Sequence, residues 1–256
     1  MDDAAAAFFD LDRTLISGSS VFAFGMAAWR HGMVTTNQLL GDAVNAVLFR
    51  LGGYSDEKAD AVRDRILEAI KGKPVTDVEE LGDEVIAQLL DGVRRESQAL
   101  IDLHHEAGRD TYIVSASPIE IVREFAEAVG MTGGIGTVSE IADGVYTGRL
   151  SEPFCYGKGK ATAISKLASE RGYDLRLCYA YSDSVSDLPM LELVGHPVAV
   201  NPDRALESIA YHRGWPIIEF SRTAKRVIGT TTAVAGAAGI ATATYLLGRS
   251  HGRQLA

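Results

Sequence analysis

The sequence predicts an α/β fold: a doubly wound parallel sheet with an inserted helical cap near its start and a helical tail at its end. Three observations predict it. Short apolar runs rich in aromatic and β-branched residues recur, and several stop at a polar cluster. Stretches of helical periodicity separate most of these runs, which implies right-handed crossovers between parallel strands. A long block of purely helical pattern, residues 17–95, stands between the first run and the second.

The first strand is read over residues 5–10, where an apolar run ends in Phe8-Phe9-Asp10. Apolar residues at helical spacing follow over Ser20 to His31, then over 36–51, 55–71, 74–90 and 92–107, punctuated by Gly52, Gly53, Gly72 and Pro74. Thr111-Tyr112-Ile113-Val114 is β-branched and ends in Ser115-Ala116-Ser117, with a helix expected from Pro118. Residues 135–140 and 145–150 read as short strands, and Lys160 to Arg171 as a helix. Leu177 to Tyr181 is a buried strand ending in Ser182-Asp183-Ser184. A helix over Leu188 to Val194 and a strand over Val198 to Val200 follow, closed by Asn201-Pro202-Asp203. This divides the chain into a core of residues 1–16 and 96–220, a helical cap over 17–95, and a tail over 221–256.

The 256 residues are 46% hydrophobic and 23% charged, enough for one large core or a core with a smaller companion. The formal charge of −9 makes nucleic acid a poor partner. Cys155 and Cys178 lack metal-ligand spacing and read as reduced thiols of a cytoplasmic protein. Acidic Asp2 and Asp3 stand where a signal peptide would carry basic residues.

Three strand ends carry polar clusters: Asp10, Asp12 and Thr14; Ser115 and Ser117; Asp183 and Asp187. In a parallel sheet these ends line one edge, where open α/β sheets bind ligands. Paired carboxylates there either bind a hard cation or combine a nucleophile with an acid/base. Taken singly, each residue has an ordinary explanation, such as a turn former, a helix cap or a solvated lysine. Their convergence on one edge is what favours chemistry.

These pieces, together with Lys160 and the run Ser182-Asp183-Ser184-Val185-Ser186-Asp187-Leu188-Pro189, resemble the haloacid dehalogenase (HAD) superfamily hydrolases, in the phosphoserine phosphatase-like branch (subfamily IB). They stand in that family's order over about residues 5–220. The resemblance implies a Rossmann-like, HAD-like core and a Mg²⁺-dependent phosphatase. Asp10 would be the nucleophile, forming an aspartyl-phosphate, and Asp12 the acid/base. The implied Mg²⁺ ligands are Asp10, the Asp12 main-chain oxygen and Asp183, with Asp187 supporting the metal shell. Ser115 and the main chain at Ala116 would bind the phosphoryl group, Lys160 would neutralise it and orient Asp10, and Thr14 would steady the turn. Gly157-Lys158-Gly159-Lys160 offers a second lysine, Lys158; the amphipathic spacing of Ile164 and Leu167 favours Lys160.

Phosphoserine phosphatases place an acid soon after the first motif to receive the substrate ammonium; here that stretch is Leu15-Ile16-Ser17-Gly18-Ser19-Ser20. The expected substrate is therefore another small organic phosphate or a lipid phosphate, with phosphoserine disfavoured. A phosphotransferase using an alcohol acceptor and a silent phosphate-binding module stay open as alternatives, whereas a dehalogenase would not need Asp12 or the metal set. In the cap, Val21, Phe22, Phe24, Met26, Trp29, Leu48 and Phe49 read as cap core or as an apolar substrate entrance, and Arg63 and Arg65 as solvated arginines or contacts for an acidic group. In the tail, Val227 to Leu247 carries no charge and is flanked by arginines and a lysine. Its length suits a membrane-associated helix and its Ala, Gly and Thr content suits a packed tail. The expected location is cytoplasmic, with the tail as a candidate tether; the oligomeric state is left open.

Overall fold

A computed structural model describes residues 4–32 and 56–220. The expected helix at 36–51, with Leu48 and Phe49, and the whole tail from 221, including the stretch 227–247, lie outside the described residues. No helix among the described residues is long and apolar enough to cross a membrane.

Six parallel strands form one sheet in the order β3-β2-β1-β6-β7-β8. They are β1 (Ala6–Asp10), β2 (Asp110–Pro118), β3 (Gly133–Thr137), β6 (Tyr179–Ser182), β7 (His196–Val200) and β8 (Ile217–Ile218). Every residue of β1 and β6 is buried, as expected of central strands covered on both faces. Side chains alternate between two cores. Phe9, Ile113, Tyr181 and Val198 pack on one face, and Phe8, Tyr112, Val114 and Ala180 on the other. Phe9 stacks on Tyr181 at 4.5 Å and Phe8 on Tyr112 at 5.9 Å, so each face is tied across strands by aromatic pairs.

The chain winds from β1 outward to β3, then returns past β1 to build β6, β7 and β8 on the other side. The order therefore reverses at the β1/β6 boundary, the switch point at which open α/β sheets leave a crevice beyond their carboxyl ends. Crossovers include α5 (Arg95–Glu106), α6 (Ile119–Ala128), α7 (Lys158–Arg171), α8 (Leu188–Leu193) and α9 (Arg204–Arg213).

Between β1 and β2 lie α1 (Ser20–Arg30), α2 (Asp56–Ile70), α3 (Val75–Glu79) and α4 (Gly82–Asp91). The entry and exit of this insert run side by side: Ser17 N donates to Gly92 O (2.8 Å) and Arg94 N to Leu15 O (3.1 Å). A hairpin of β4 (Ser139–Ala142) and β5 (Val145–Leu150) reaches up to it, closed by Asp143-Gly144 with φ of +50° and +78°. Tyr146 N donates to Lys73 O, Gly72 N to Tyr146 O and Val75 N to Gly144 O, which stitches the hairpin to the α2–α3 link. The buried Tyr146 ring packs there with Leu67, Ile70 and Val78.

Several boundaries differ from the sequence reading. The helix expected over 74–90 is two helices. Gly82 starts the second, where an added Cβ would meet the Glu124 carboxylate at 2.8 Å. Residues 135–140 divide between β3 of the main sheet and β4 of the hairpin. β2 runs on through Ser115-Ala116-Ser117-Pro118, with a register shift against β3 between Val114 and Pro118, where the periodicity reads a strand end. α9 and β8 have no counterpart in the sequence reading, because a short amphipathic helix and a two-residue strand carry little periodic signal.

His104 is 0% exposed, ringed by Phe9, Tyr179 and Tyr181. Arg109 Nε donates to its Nδ1 at 2.8 Å, so Nε2 carries the proton and faces the Tyr181 hydroxyl at 2.8 Å. Burial, with Arg109 adding to it, lowers its pKa from 6.5 to about 3. The unfolded chain then binds this proton below pH 6.5 and the folded chain does not, so stability falls with acidification. From pH 7 to pH 5 this one site is expected to cost about 2 kcal/mol. Urea unfolding at the two pH values should show that extra loss in the wild type and not in His104→Gln.

Candidate active site

The C-terminal ends of β1, β2 and β6 bring the carboxylates, the serines and a lysine together. Asp10 is the last residue of β1, and its side chain is 11% exposed. The chain then turns through Arg13, whose φ of +65° is in the left-handed region, so the strand does not continue to Asp12. Lys160 Nζ lies 2.6 Å from Asp10 Oδ1 and 2.8 Å from Asp187 Oδ2, and its side chain is 4% exposed. Ser182 Oγ donates to the same Asp187 oxygen at 2.8 Å. Lys158, the other lysine of the segment, is exposed.

The glycines of that segment set the approach. Gly157 takes φ +51° and ψ −116° just before α7, and a Cβ on Gly159 would lie 1.8 Å from the Phe154 carbonyl oxygen. Only glycine lets the chain pass that close and still send the Lys160 side chain back to β1.

Asp12 is held by a residue the sequence reading passed over. Ser20 N donates to Asp12 Oδ1 at 2.6 Å and Ser20 Oγ to Asp12 Oδ2 at 2.9 Å. Ser20 Oγ also meets Ser117 Oγ at 2.7 Å. With its own proton on Asp12, Ser20 accepts from Ser117, which forms a chain from the β2 end to the acid. Its signal in the sequence is weak, since a serine at a helix start reads as a cap; here Ser19 holds the N-cap position and Ser20 is the first helical residue.

On β2, Ser115 is 3% exposed and its Oγ accepts from Ser117 N at 3.1 Å. Thr137 Oγ1 donates to Ala116 O at 2.7 Å and fixes that peptide. Thr14 is buried; its carbonyl accepts from Ser97 Oγ at 3.0 Å, and its hydroxyl has no hydrogen-bond partner among the described residues. After β6, Asp203 braces the Asp183 loop: Asp203 N donates to Asp183 O at 2.7 Å, and Val185 N donates to the Asp203 carboxylate at 3.0 Å. Sequence reading treats Asp203 only as a strand-closing turn residue.

Carboxyl groups outnumber cationic groups in this crevice, and burial favours their protonated forms. Burial pushes Asp10 up to about 7 against the pull of Lys160, pushes Asp183 up to about 8, and raises Asp12 despite its bonds to Ser20. The Lys160 ammonium is held charged by Asp10 and Asp187, which outweigh its burial. Cys155 is buried nearby, and burial pushes its thiol up to about 12, so it is inert as a nucleophile.

The residues fit a hard divalent cation. Asp187 Oδ1 is buried without a hydrogen-bond partner among the described residues. Arg13 Nη2 stands 2.9 Å from Asp183 Oδ2 as an ion pair. An all-oxygen donor set of two carboxylates and a main-chain carbonyl, completed by water, is what Mg²⁺ accepts. Among the described residues no three His, Cys, Asp or Glu side chains gather as a metal cluster, so such an ion would depend on that carbonyl and on water.

A narrow cleft opens beside Ser20 and Ser117, walled by Val21, Phe24, Ile66 and Ile121. An open depression at the N-terminal end of β7, bounded by Val194, Gly195, Pro197 and Trp215, is remote from these carboxylates.

The chain is similar to known proteins in sequence and in fold. Residues 7–192 match the family profile described as haloacid dehalogenase-like hydrolase. A probable phosphatase of Mycobacterium tuberculosis is 42% identical over 218 residues, 85% of this chain and 76% of that protein. A phosphoserine phosphatase of the same organism is 40% identical over 244 residues, 93% of this chain and 79% of that protein. A crystal structure of a protein of unknown function from Bordetella pertussis superposes with a TM-score of 0.74 at 26% identity, covering 84% of this chain and 98% of that one.

Proposed function

This chain belongs to the haloacid dehalogenase-like hydrolase family, and we propose that it hydrolyses phosphomonoesters with Mg²⁺ through an aspartyl-phosphate on Asp10. It is a phosphoric monoester hydrolase, like the phosphatases it resembles over most of its length. The observation that carries the mechanism is the seat of Lys160, buried between the carboxylates of Asp10 and Asp187. A buried ammonium oriented on one carboxylate of an acid-rich crevice suits attack on an anionic phosphorus centre.

In the first step Asp10 attacks phosphorus with its carboxylate oxygen, and the bond to the ester oxygen breaks. Asp12 gives its proton to that oxygen as it leaves; burial favours the protonated form this requires. In the second step ionised Asp12 takes a proton from water, which attacks the phosphorus and frees Asp10 and inorganic phosphate. Ser115 and the main chain at Ala116 bind the phosphoryl oxygens, Lys160 neutralises their charge, and Thr14 steadies the turn. Asp10, Asp183 and the Asp12 carbonyl would hold Mg²⁺, with Asp187 in support; the ion supplies the positive charge that lets two anions meet. Residues 17–95 act as a cap over the core of residues 1–16 and 96–220, closing to exclude water. The substrate is a small organic phosphate or a lipid phosphate.

A phosphomonoester screen tests this reading. Turnover is expected with Mg²⁺, is lost after EDTA and returns when Mg²⁺ is restored in excess. Full activity in metal-stripped protein would overturn the metal assignment.

The double hold of Ser20 on Asp12 leads to a separate expectation. Ser20→Ala should slow alkyl phosphates, whose leaving groups need a proton, by about 10² or more, and p-nitrophenyl phosphate much less. Ser20→Thr should recover part of the loss. Equal loss on both esters would mean that Ser20 serves general integrity and does not position the acid.

A further inference from the structure

We propose that the alcohol half of the substrate is uncharged and apolar next to the ester oxygen, and that it binds in the cleft between α1, α2 and α6. This rests on the phosphatase reading and names the substrate class that reading leaves open. The cleft's position identifies its occupant. One side is formed by the Ser20 and Ser117 hydroxyls, the first bonded to Asp12 and the second at the β2 end that receives the phosphoryl group. A group lodged there sits beyond the acid that protonates the leaving oxygen, where the alcohol half belongs.

The walls identify its chemistry. Val21 and Phe24 from α1, Ile66 from α2 and Ile121 from α6 line it, and no charged side chain among the described residues does. Several charges flanking these residues in the chain have partners, among them Arg65, next to Ile66, whose Nε donates to Ala61 O at 3.2 Å. Glu120, next to Ile121, accepts from the Tyr146 hydroxyl at 3.3 Å. Arg63, on α2 before Ile66, is paired with Asp60 and Asp64 and lies over the Phe154 ring at 5.5 Å. An ammonium or carboxylate on the substrate would lose its water here and gain no counter-charge from the described lining residues. An alkyl group gains about fourfold in binding for each methylene buried.

The test is a matched series of methyl, ethyl and propyl phosphate against phosphoethanolamine and O-phosphoserine, with phosphate release measured in Mg²⁺. In the wild type, kcat/KM is expected to rise by about fourfold per added methylene. Propyl phosphate should exceed both charged esters by at least about tenfold. Val21 is 41% exposed, so Val21→Glu should fold, which a thermal melt would verify. The new carboxylate is expected to shift the ratio of phosphoethanolamine to propyl phosphate upward by about tenfold or more. Phosphoserine as the best ester, or an unchanged ratio in folded Val21→Glu, would overturn the proposal while the phosphatase reading stands. Absence of phosphate release from every ester, p-nitrophenyl phosphate included, would overturn both.

Discussion

Asp10→Asn is expected to abolish turnover, with kcat falling on the order of 10⁴-fold or more, as when the nucleophile of a covalent mechanism is lost. The amide keeps the shape of the carboxylate but cannot form the acyl-phosphate. The fold should survive, because Lys160 keeps Asp187 as its partner and burial already disfavours a charge at position 10. Borohydride treatment during turnover, followed by peptide mass analysis, should convert Asp10 of the wild type to homoserine and find no such product in the variant. Activity of Asp10→Asn within tenfold of the wild type, in a sample free of contaminating phosphatase, would reject the covalent mechanism.

Lys160→Met carries the largest expected cost in stability. Its ammonium is the charge within 3 Å of both Asp10 and Asp187, and the side chains of all three are at most 11% exposed. Removing one partner of a buried ionic cluster typically costs about 3–5 kcal/mol, because the remaining charges are left uncompensated. Methionine fills the volume, so the loss reports charge and not a cavity. Activity should fall with stability even at temperatures where the variant is folded. Lys158→Ala, at an exposed position, should change stability by no more than about 0.5 kcal/mol and leave turnover intact. Urea titration and steady-state rates on the pair provide the check, and the reverse pattern would exclude Lys160.

Much of the architecture was legible in the chain. Central strands are buried on both faces, so β1, β2 and β6 appear as apolar runs ending in polar residues, and the C-terminal ends of parallel strands share an edge. That reasoning places Asp10, Ser115 and Asp183 near one another without any coordinates. It fails where periodicity is weak or non-local. The hairpin at 139–150 shows as strands, but nothing in the run reveals that it pairs with Lys73 and Val145 docks against Pro74. The extension of β2 through Pro118 depends on a register shift against β3, which is set by the partner strand and not by the local sequence.

By itself the sequence determined the fold class, the family and the set of polar groups offered to the crevice, because each depends on a local pattern of residue types. The tertiary structure decided how those groups divide. It sends Lys160 to Asp10 and Asp187 while Lys158 faces solvent, since Gly157 turns the chain with a positive φ and Gly159 lets it pass close to Phe154. It seats Ser20 on Asp12, a contact between a turn and the first residue of α1 that no motif encodes. It also brings Val21, Phe24, Ile66 and Ile121 from three separate helices to one cleft. The polarity of that cleft is a property of the convergence, absent from any one segment of the chain.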